Sequence, residues 1–385
     1  MKSGALALFC VLILFSFSRL QAQHFTELNA GGGIVVKNHP DFPDDNSPAF
    51  LVSARYFRHL DGFKPWHRYY SKPLLGLDIS TGSMGNHAVL GYYAGAMGSL
   101  SFERNLNEKW VRMIRLSLGA SWFSNPYDEQ SNPENVVIGS RVAFLASAEL
   151  GIGYQLNSDL IFKGGLTILH ASNSHFKLPN VGMNLPAATL GVRYKLNKSN
   201  PQLSDTSVIN VSGRFRLNLR MAIGMNESGS STTPVNGPKY PIYLASVSVS
   251  RMFSPVSKVS AGLEAWYNKG VYDFIVSQEF YNDDRHKNAM AACLTFGHEF
   301  LMGKFGILTT GGIYLFNPFY KDRLERDGKR GVKDKLKSYI PARLGVQYHL
   351  KNTHYNDQNN LFFGVYIKSN FGQADFLETG IGVVL

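Results

Sequence analysis

The sequence predicts an all-β protein, a transmembrane antiparallel β-barrel of an outer membrane with about 14–16 strands and 12 as the lower alternative. Three observations predict it. Apolar and polar residues alternate at period two over much of the chain, and no segment after residue 22 reaches the ~20 apolar residues of a spanning helix. Several alternating segments exceed the ~5–6 residues usual in a globular strand and match the ~9–11 that cross a bilayer at a tilt. The connections alternate between short and long, as in barrels whose inner turns are tight and whose outer loops are extended.

The elements follow in order. Residues 1–22 read as a secretory signal peptide: Lys2, an apolar run from Ala5 to Phe17, and "RLQAQ" with small Ala22 before the cut. A first strand is expected near Gly31. Alternating segments follow at 88–104, 110–124, 136–155, 159–172, 209–221, 240–252, 257–268, 288–301, 304–317, 337–349 and 360–369, and the last strand carries Leu377, Ile381, Val383 and Leu385 on one face. In 209–221 the odd positions are apolar or Gly213, while the even ones include Arg214, Arg216 and Arg220. Short connections fall at "NLNEK" (105–109), "NSD" (157–159) and "MGK" (302–304); long polar ones fall at 125–135, 173–187, 225–239, 269–287 and 318–336. With no composition shift in between, residues 23–385 are expected to form a single, monomeric barrel.

Composition narrows the function. The formal charge is +11, and without Lys2 and Arg19 the remaining 37 basic and 28 acidic side chains leave +9. An exported basic chain points to a phosphate-bearing membrane surface rather than to nucleic acid. Only Cys293 remains beyond the signal segment, so no internal disulfide is expected. There is no phosphate-binding loop, dinucleotide fingerprint, HExxH or cysteine pair for zinc, and no cofactor or metal is expected. "DFPDD" (Asp41, Asp44, Asp45) could offer calcium its oxygens, though an acidic loop on a bilayer rich in divalent ions needs no dedicated site.

The stretch "ILHASNSHFKLPNVGMN" (168–184) carries the candidate chemistry. On 159–172 the even positions Leu166, Ile168, His170 and Ser172 share a face that should meet lipid, which sets His170 and Ser172 ~6–7 Å apart along the strand. The turn before the strand is short and the loop after it long, so the pair is expected at the outer leaflet. There lipopolysaccharide carries ester-linked acyl chains on its lipid A anchor, and a serine activated by histidine cleaves esters.

"HASN" (170–173) followed by "PNVGMN" (179–184) resembles the motif of the PagL family of lipid A 3-O-deacylases. "NPYDEQSNPENVVIGS" (125–140) and "KSNFGQADFLETGIG" (368–382) resemble its long-chain relatives, the acyloxyacyl hydrolases. Residues 31–197 resemble the family core, and 198–385 would supply additional strands. The resemblance implies an outer-membrane esterase of a Gram-negative bacterium acting on lipid A. It implies Ser172 as nucleophile, His170 as general base and the Asn173 amide as an oxyanion donor.

The chain departs from the family pattern twice. His175 stands where the family has a second oxyanion glycine, and Asn184 stands where it has the glutamate that orients the histidine. Asn184 can hold an imidazole tautomer, as asparagine does in Cys-His-Asn proteases. Glu134 has the right parity but is expected too high, because the turn at 156–158 would pair Ser172 with Val142. The competing reading is a non-catalytic barrel, a pore or scaffold; a calcium-dependent deacylase of another barrel type is a third.

Overall fold

The computed structural model describes residues 22–44, 47–197, 211, 213–229, 231–326, 328, 331–354 and 358–385. The signal segment through residue 21, Asp45, and Ile209, Asn210 and Ser212 of the alternating stretch lie outside the described residues.

Among the described residues there are sixteen antiparallel strands, and they close as two barrels of eight rather than one barrel of sixteen. The first barrel runs β1 (His24–Gly33), β2 (Ala49–His59), β3 (Leu74–Ser83), β4 (Tyr92–Asn105), β5 (Trp110–Phe123), β6 (Val142–Gln155), β7 (Leu160–Ser172) and β8 (Met183–Lys195). It closes where β8 pairs with β1, from Phe25↔Lys195 to Gly33↔Ala187. The second runs β9 (Phe215–Glu227), β10 (Lys239–Ser254), β11 (Ser257–Asn268), β12 (Met290–Met302), β13 (Phe305–Phe316), β14 (Pro341–His349), β15 (Asn360–Asn370) and β16 (Gln373–Val384). Here β16 returns to β9, from Leu377↔Met225 to Val384↔Asn218. The single barrel expected over 23–385 is corrected by these closures. Alternation identifies a strand but does not encode which distant strand closes the ring.

Both barrels are built inside out relative to a soluble protein. In the first, Ile114, Leu116, Leu118, Leu150, Leu166 and Leu190 stand exposed on the outer wall. Its interior carries Glu27 bonded to Arg55, Arg115, Lys163 and Arg193, and Glu149 bonded to Arg55, Arg115 and Lys163, at 2.6–3.1 Å. Towards the long-loop end the interior turns apolar, with Leu145, Leu169, Ala171, Met183, Leu185, Val137 and Ile138 in one buried cluster. An eight-stranded ring is just wide enough for side chains to fill, and here they fill it. The unpaired backbone edges that lipid would not tolerate are removed by closure.

The second barrel repeats the solution. Arg220 and Arg343 share Glu264 and Glu378 at 2.5–2.9 Å, Glu299 is bonded by Lys258 and His349, and Ile242, Leu244, Trp266, Cys293, Tyr314 and Phe376 form an apolar cluster. Arg216 and Arg220 thus face inward as the parity predicts, whereas Arg214 precedes β9 and is exposed. Cys293 is a buried free thiol.

Tight turns gather at one end of each barrel and long loops at the other, except that 60–73 and 350–359 are long at the tight-turn end and 371–372 turns in two residues at the long-loop end. Residues 106–109 and 156–159 turn tightly in the first, and 303–304 in the second. The connections at the long-loop end are 34–48, 84–91, 124–141 and 173–182 in the first, and the long ones there in the second are 228–238, 269–289 and 317–340. A short helix, α1 (Pro65–Tyr69), interrupts a connection at the tight-turn end of the first barrel. The long loops of the second hold α2 (Lys269–Ser277), α3 (Arg285–Asn288), α4 (Pro318–Arg326) and α5 (Val332–Tyr339). Among the described residues no helix is long and apolar enough to cross a membrane.

Candidate active site

β7 alternates sharply. Leu166 (67 %) and Ile168 (57 %) are exposed, whereas Thr167, Leu169 and Ala171 are buried. His170 and Ser172 continue the outward series at the long-loop end, His170 exposed and Ser172 half-buried. Behind them, Leu169 and Ala171 pack with Met183 and Leu185 of β8 in the interior cluster, so the strand that carries the pair is fixed from within.

Asn184 lies on β8, not in a loop. The expected loop 173–187 ends at Gly182, and β8 begins at Met183. Pro186 within the strand, lacking an N–H for the ladder, had hidden the strand signal. The register sets Asn184 directly opposite His170, and the His170 Nδ1···Asn184 Oδ1 distance is 2.8 Å. Ser172 pairs with Phe144, not Val142, because the tight turn is centred one residue later than expected. Glu134 is therefore further from the pair's register, and it is exposed to solvent.

Ser172 and Asn173 are gripped by a residue that sequence reasoning left without a role. Asn180 Nδ2 donates to Ser172 Oγ at 2.9 Å, and Asn180 Oδ1 accepts the Asn173 backbone N–H at 3.1 Å. The Asn173 side-chain amide donates to Ser140 Oγ at 3.2 Å. Asn180 sits in "PNVGMN", so its signal was its place in the motif rather than a spacing that chemistry demands.

Two left-handed stretches turn the loop back. Ser174 (φ 58°) and His175 (φ 67°) adopt a conformation that glycine takes at least cost, which accounts for the family glycine at the latter position. His175 is buried, and burial pushes its imidazole pKa down, favouring the neutral form. Gly182 (φ 81°) sits beside both His170 and Ser172: a Cβ there would lie 3.6 Å from His170 Cε1 and 3.7 Å from Ser172 Cβ. The imidazole edge and the serine thus flank one point in space.

The segment 125–140 braces this loop. Val181 N–H and Gly182 N–H donate to the carbonyls of Val136 and Val137, each at 3.1 Å. Buried Asn135 accepts from the amides of Val137 and Ile138 and donates to the Asn125 carbonyl. Elsewhere, Asp44 is paired with Lys37, and among the described residues no group of three or more His, Cys, Asp or Glu is placed to hold a metal.

Comparisons with known proteins divide the chain as its strands do. Residues 51–193 match the model of the lipid A 3-O-deacylase (PagL), and residues 215–385 match the acyloxyacyl hydrolase C-terminal domain. No curated protein matches by sequence. Among solved structures, Neisserial surface protein A is 10 % identical over 45 % of this chain and 97 % of its own, with a TM-score of 0.32. A de novo designed transmembrane β-barrel is 13 % identical over 46 % of this chain and 98 % of its own (TM-score 0.23). The Pseudomonas putida toluene transporter TodX is 9 % identical over 96 % and 89 % (TM-score 0.17). The two family matches take in most of the chain, one on each barrel, and the chain belongs to the PagL and acyloxyacyl hydrolase family of outer-membrane lipid A deacylases.

Proposed function

We propose that the first barrel is an esterase that removes an ester-linked acyl chain from lipid A in the outer leaflet, with Ser172 as nucleophile and His170 as general base. The observation that carries this reading is the pairing of His170 with Asn184 across the β7–β8 register, beside a serine held by Asn180. With Asn184 Oδ1 accepting at Nδ1, that nitrogen carries the proton, and Nε2 is left as the base.

Nε2 takes the Ser172 proton as Oγ attacks the ester carbonyl carbon. The tetrahedral oxyanion is stabilised by an amide donor, for which the Asn180 side chain beside Ser172 Oγ is the candidate; the Asn173 N–H, expected in that role, donates to Asn180 Oδ1 in this structure and would have to leave it to serve. Collapse breaks the bond to the sugar oxygen, which takes the proton from Nε2. Water, deprotonated by the same nitrogen, then releases the carboxylic acid and restores Ser172. Asn184 orients the ring through a neutral contact, which stabilises the imidazolium less than a carboxylate would. Turnover is therefore expected to be low.

The test is the mass spectrum of lipid A from cells with and without the protein. Loss of one hydroxyacyl chain in the presence of the wild-type chain, and not with Ser172→Ala, supports the esterase. Unchanged lipid A in cells that display the folded barrels favours the non-catalytic scaffold.

A further inference from the structure

The helix α5 leaves two large apolar side chains of one face exposed. Val332, Leu336 and Tyr339 follow one another at i, i+4 and i+7 and so share a face. Val332 is 77 % and Tyr339 52 % exposed, and no residue of the helix is buried. The less exposed flank instead carries Asp334, Lys337 and Ser338, with an Asp334–Lys337 ion pair at 3.9 Å. Leu336 is half-buried like that flank, so the exposed apolar positions are Val332 and Tyr339 at the two ends of the stripe.

The surroundings select what the apolar side meets. Lys333 and Lys335 are exposed on either side of the stripe. Over 317–340 the sequence holds eight Lys and Arg against four Asp and Glu. The C-terminal end of α5 is fixed at the barrel rim: β14 starts two residues after Tyr339, and the Ile340 carbonyl accepts the Phe371 N–H at 3.0 Å. A short helix held at that height, with a partly exposed apolar stripe flanked by lysines, has the pattern of one lying in a membrane interface.

We infer that α5 is an interfacial anchor, its Val332–Leu336–Tyr339 stripe set into the outer leaflet and Lys333 and Lys335 placed on the phosphates of that leaflet's lipids. The second barrel thereby binds the phosphate-bearing surface on its own account, without any part in ester chemistry. Each lysine adds about fivefold to the preference for the buried state, from the ~1 kcal/mol that a basic side chain gains at an anionic surface.

The experiment labels single cysteines with bimane in the full chain carrying Cys10→Ala and Cys293→Ala, reconstituted in vesicles with or without lipid A in phosphatidylcholine. Val332→Cys and Tyr339→Cys report the stripe, and Asp334→Cys the opposite flank. With lipid A present, the two stripe labels are expected to be quenched by shallow nitroxide lipids and shielded from iodide, while position 334 escapes the nitroxides. Lys333→Gln with Lys335→Gln should lower the stripe's buried-to-exposed ratio roughly 25-fold. Ser172→Ala should leave every quenching value unchanged, which separates this inference from the esterase reading. Full iodide quenching of the stripe overturns the inference, as does protection from both quenchers, which would mean that a second copy or another protein segment covers it. Equal burial in pure phosphatidylcholine, whose phosphate is neutralised by choline, overturns the role of the net-anionic phosphates of lipid A.

Discussion

The two barrels solve their interiors alike and differ at one outer corner. In the first, the outward residues at the end of the penultimate strand are His170 and Ser172; in the second, the corresponding outward pair on β15 is Ile367 and Ser369. Across the register His170 meets Asn184, whereas Ile367 meets Leu377. After β7 the chain makes a ten-residue loop that returns Asn180 beneath the serine, while after β15 it turns in two residues, Phe371 and Gly372, both at positive φ. A tight turn of this kind matches the strand twist and leaves no chain with which to build a site. On the same scaffold, one histidine, one asparagine opposite it and a longer loop set the first barrel apart, and the proposed chemistry rests on these rather than on the fold.

The largest effect expected from this difference is on turnover. Ser172→Ala and His170→Ala should each lower acyl release by ~10³-fold or more, with the double variant little worse than either, because the pair acts as a unit. Ser369→Ala should be silent in the same assay. Activity surviving in Ser172→Ala, or lost in Ser369→Ala, would erase the distinction between the barrels. Heat-dependent migration of each variant on a gel checks that its barrels are folded.

Next come the interiors, where the barrels should behave alike. Glu27→Ala removes one of the two carboxylates shared by Arg55, Arg115 and Lys163, leaving them Glu149, and leaves Arg193 with Glu103 alone; Glu264→Ala likewise leaves Arg220 and Arg343 with Glu378 alone. Breaking a buried ionic group from one side costs roughly 3–5 kcal/mol, so denaturant midpoints should fall in both variants. Acyl release per folded molecule should be kept in Glu264→Ala. If that variant is folded yet inactive, the second barrel contributes to the chemistry.

Asn180→Ala removes the amide held against Ser172 Oγ, and the loss of one such donor costs about 10²–10³ in turnover. A silent result would reduce Asn180 to a loop brace. The smallest effect is at Asn184: Asn184→Ala should slow the reaction about tenfold, a modest share of what orienting groups contribute elsewhere. Asn184→Glu should raise it, since a charge-assisted hydrogen bond is roughly twice as strong as a neutral one. Glu134→Ala should match wild type; if it is crippling and Asn184→Ala is not, the orienting group has been misassigned.

What could be read in the sequence follows from which interactions are local. The outward series Leu166, Ile168, His170 and Ser172 was legible because side-chain alternation is a property of neighbouring residues, and so was the common face of Arg216 and Arg220. Closure was not legible, since the β1–β8 and β9–β16 pairings join residues far apart in the chain. Pro186 concealed β8 and with it the placement of Asn184 on a strand. Asn180 escaped notice because its two hydrogen bonds exist only once the left-handed residues Ser174 and His175 have folded the loop back.

His170 and Ser172 stand on the outside wall of the first barrel rather than in its filled interior, and this sets how encounters occur. A molecule that reaches them approaches within the plane of the leaflet, so the relevant concentration is a surface mole fraction and the search is two-dimensional. Such a site has no mouth to block and no tunnel to select by length. On the proposed esterase reading, what such a site accepts would be decided by which bonds lie at the depth of His170, and both products would be released within the leaflet.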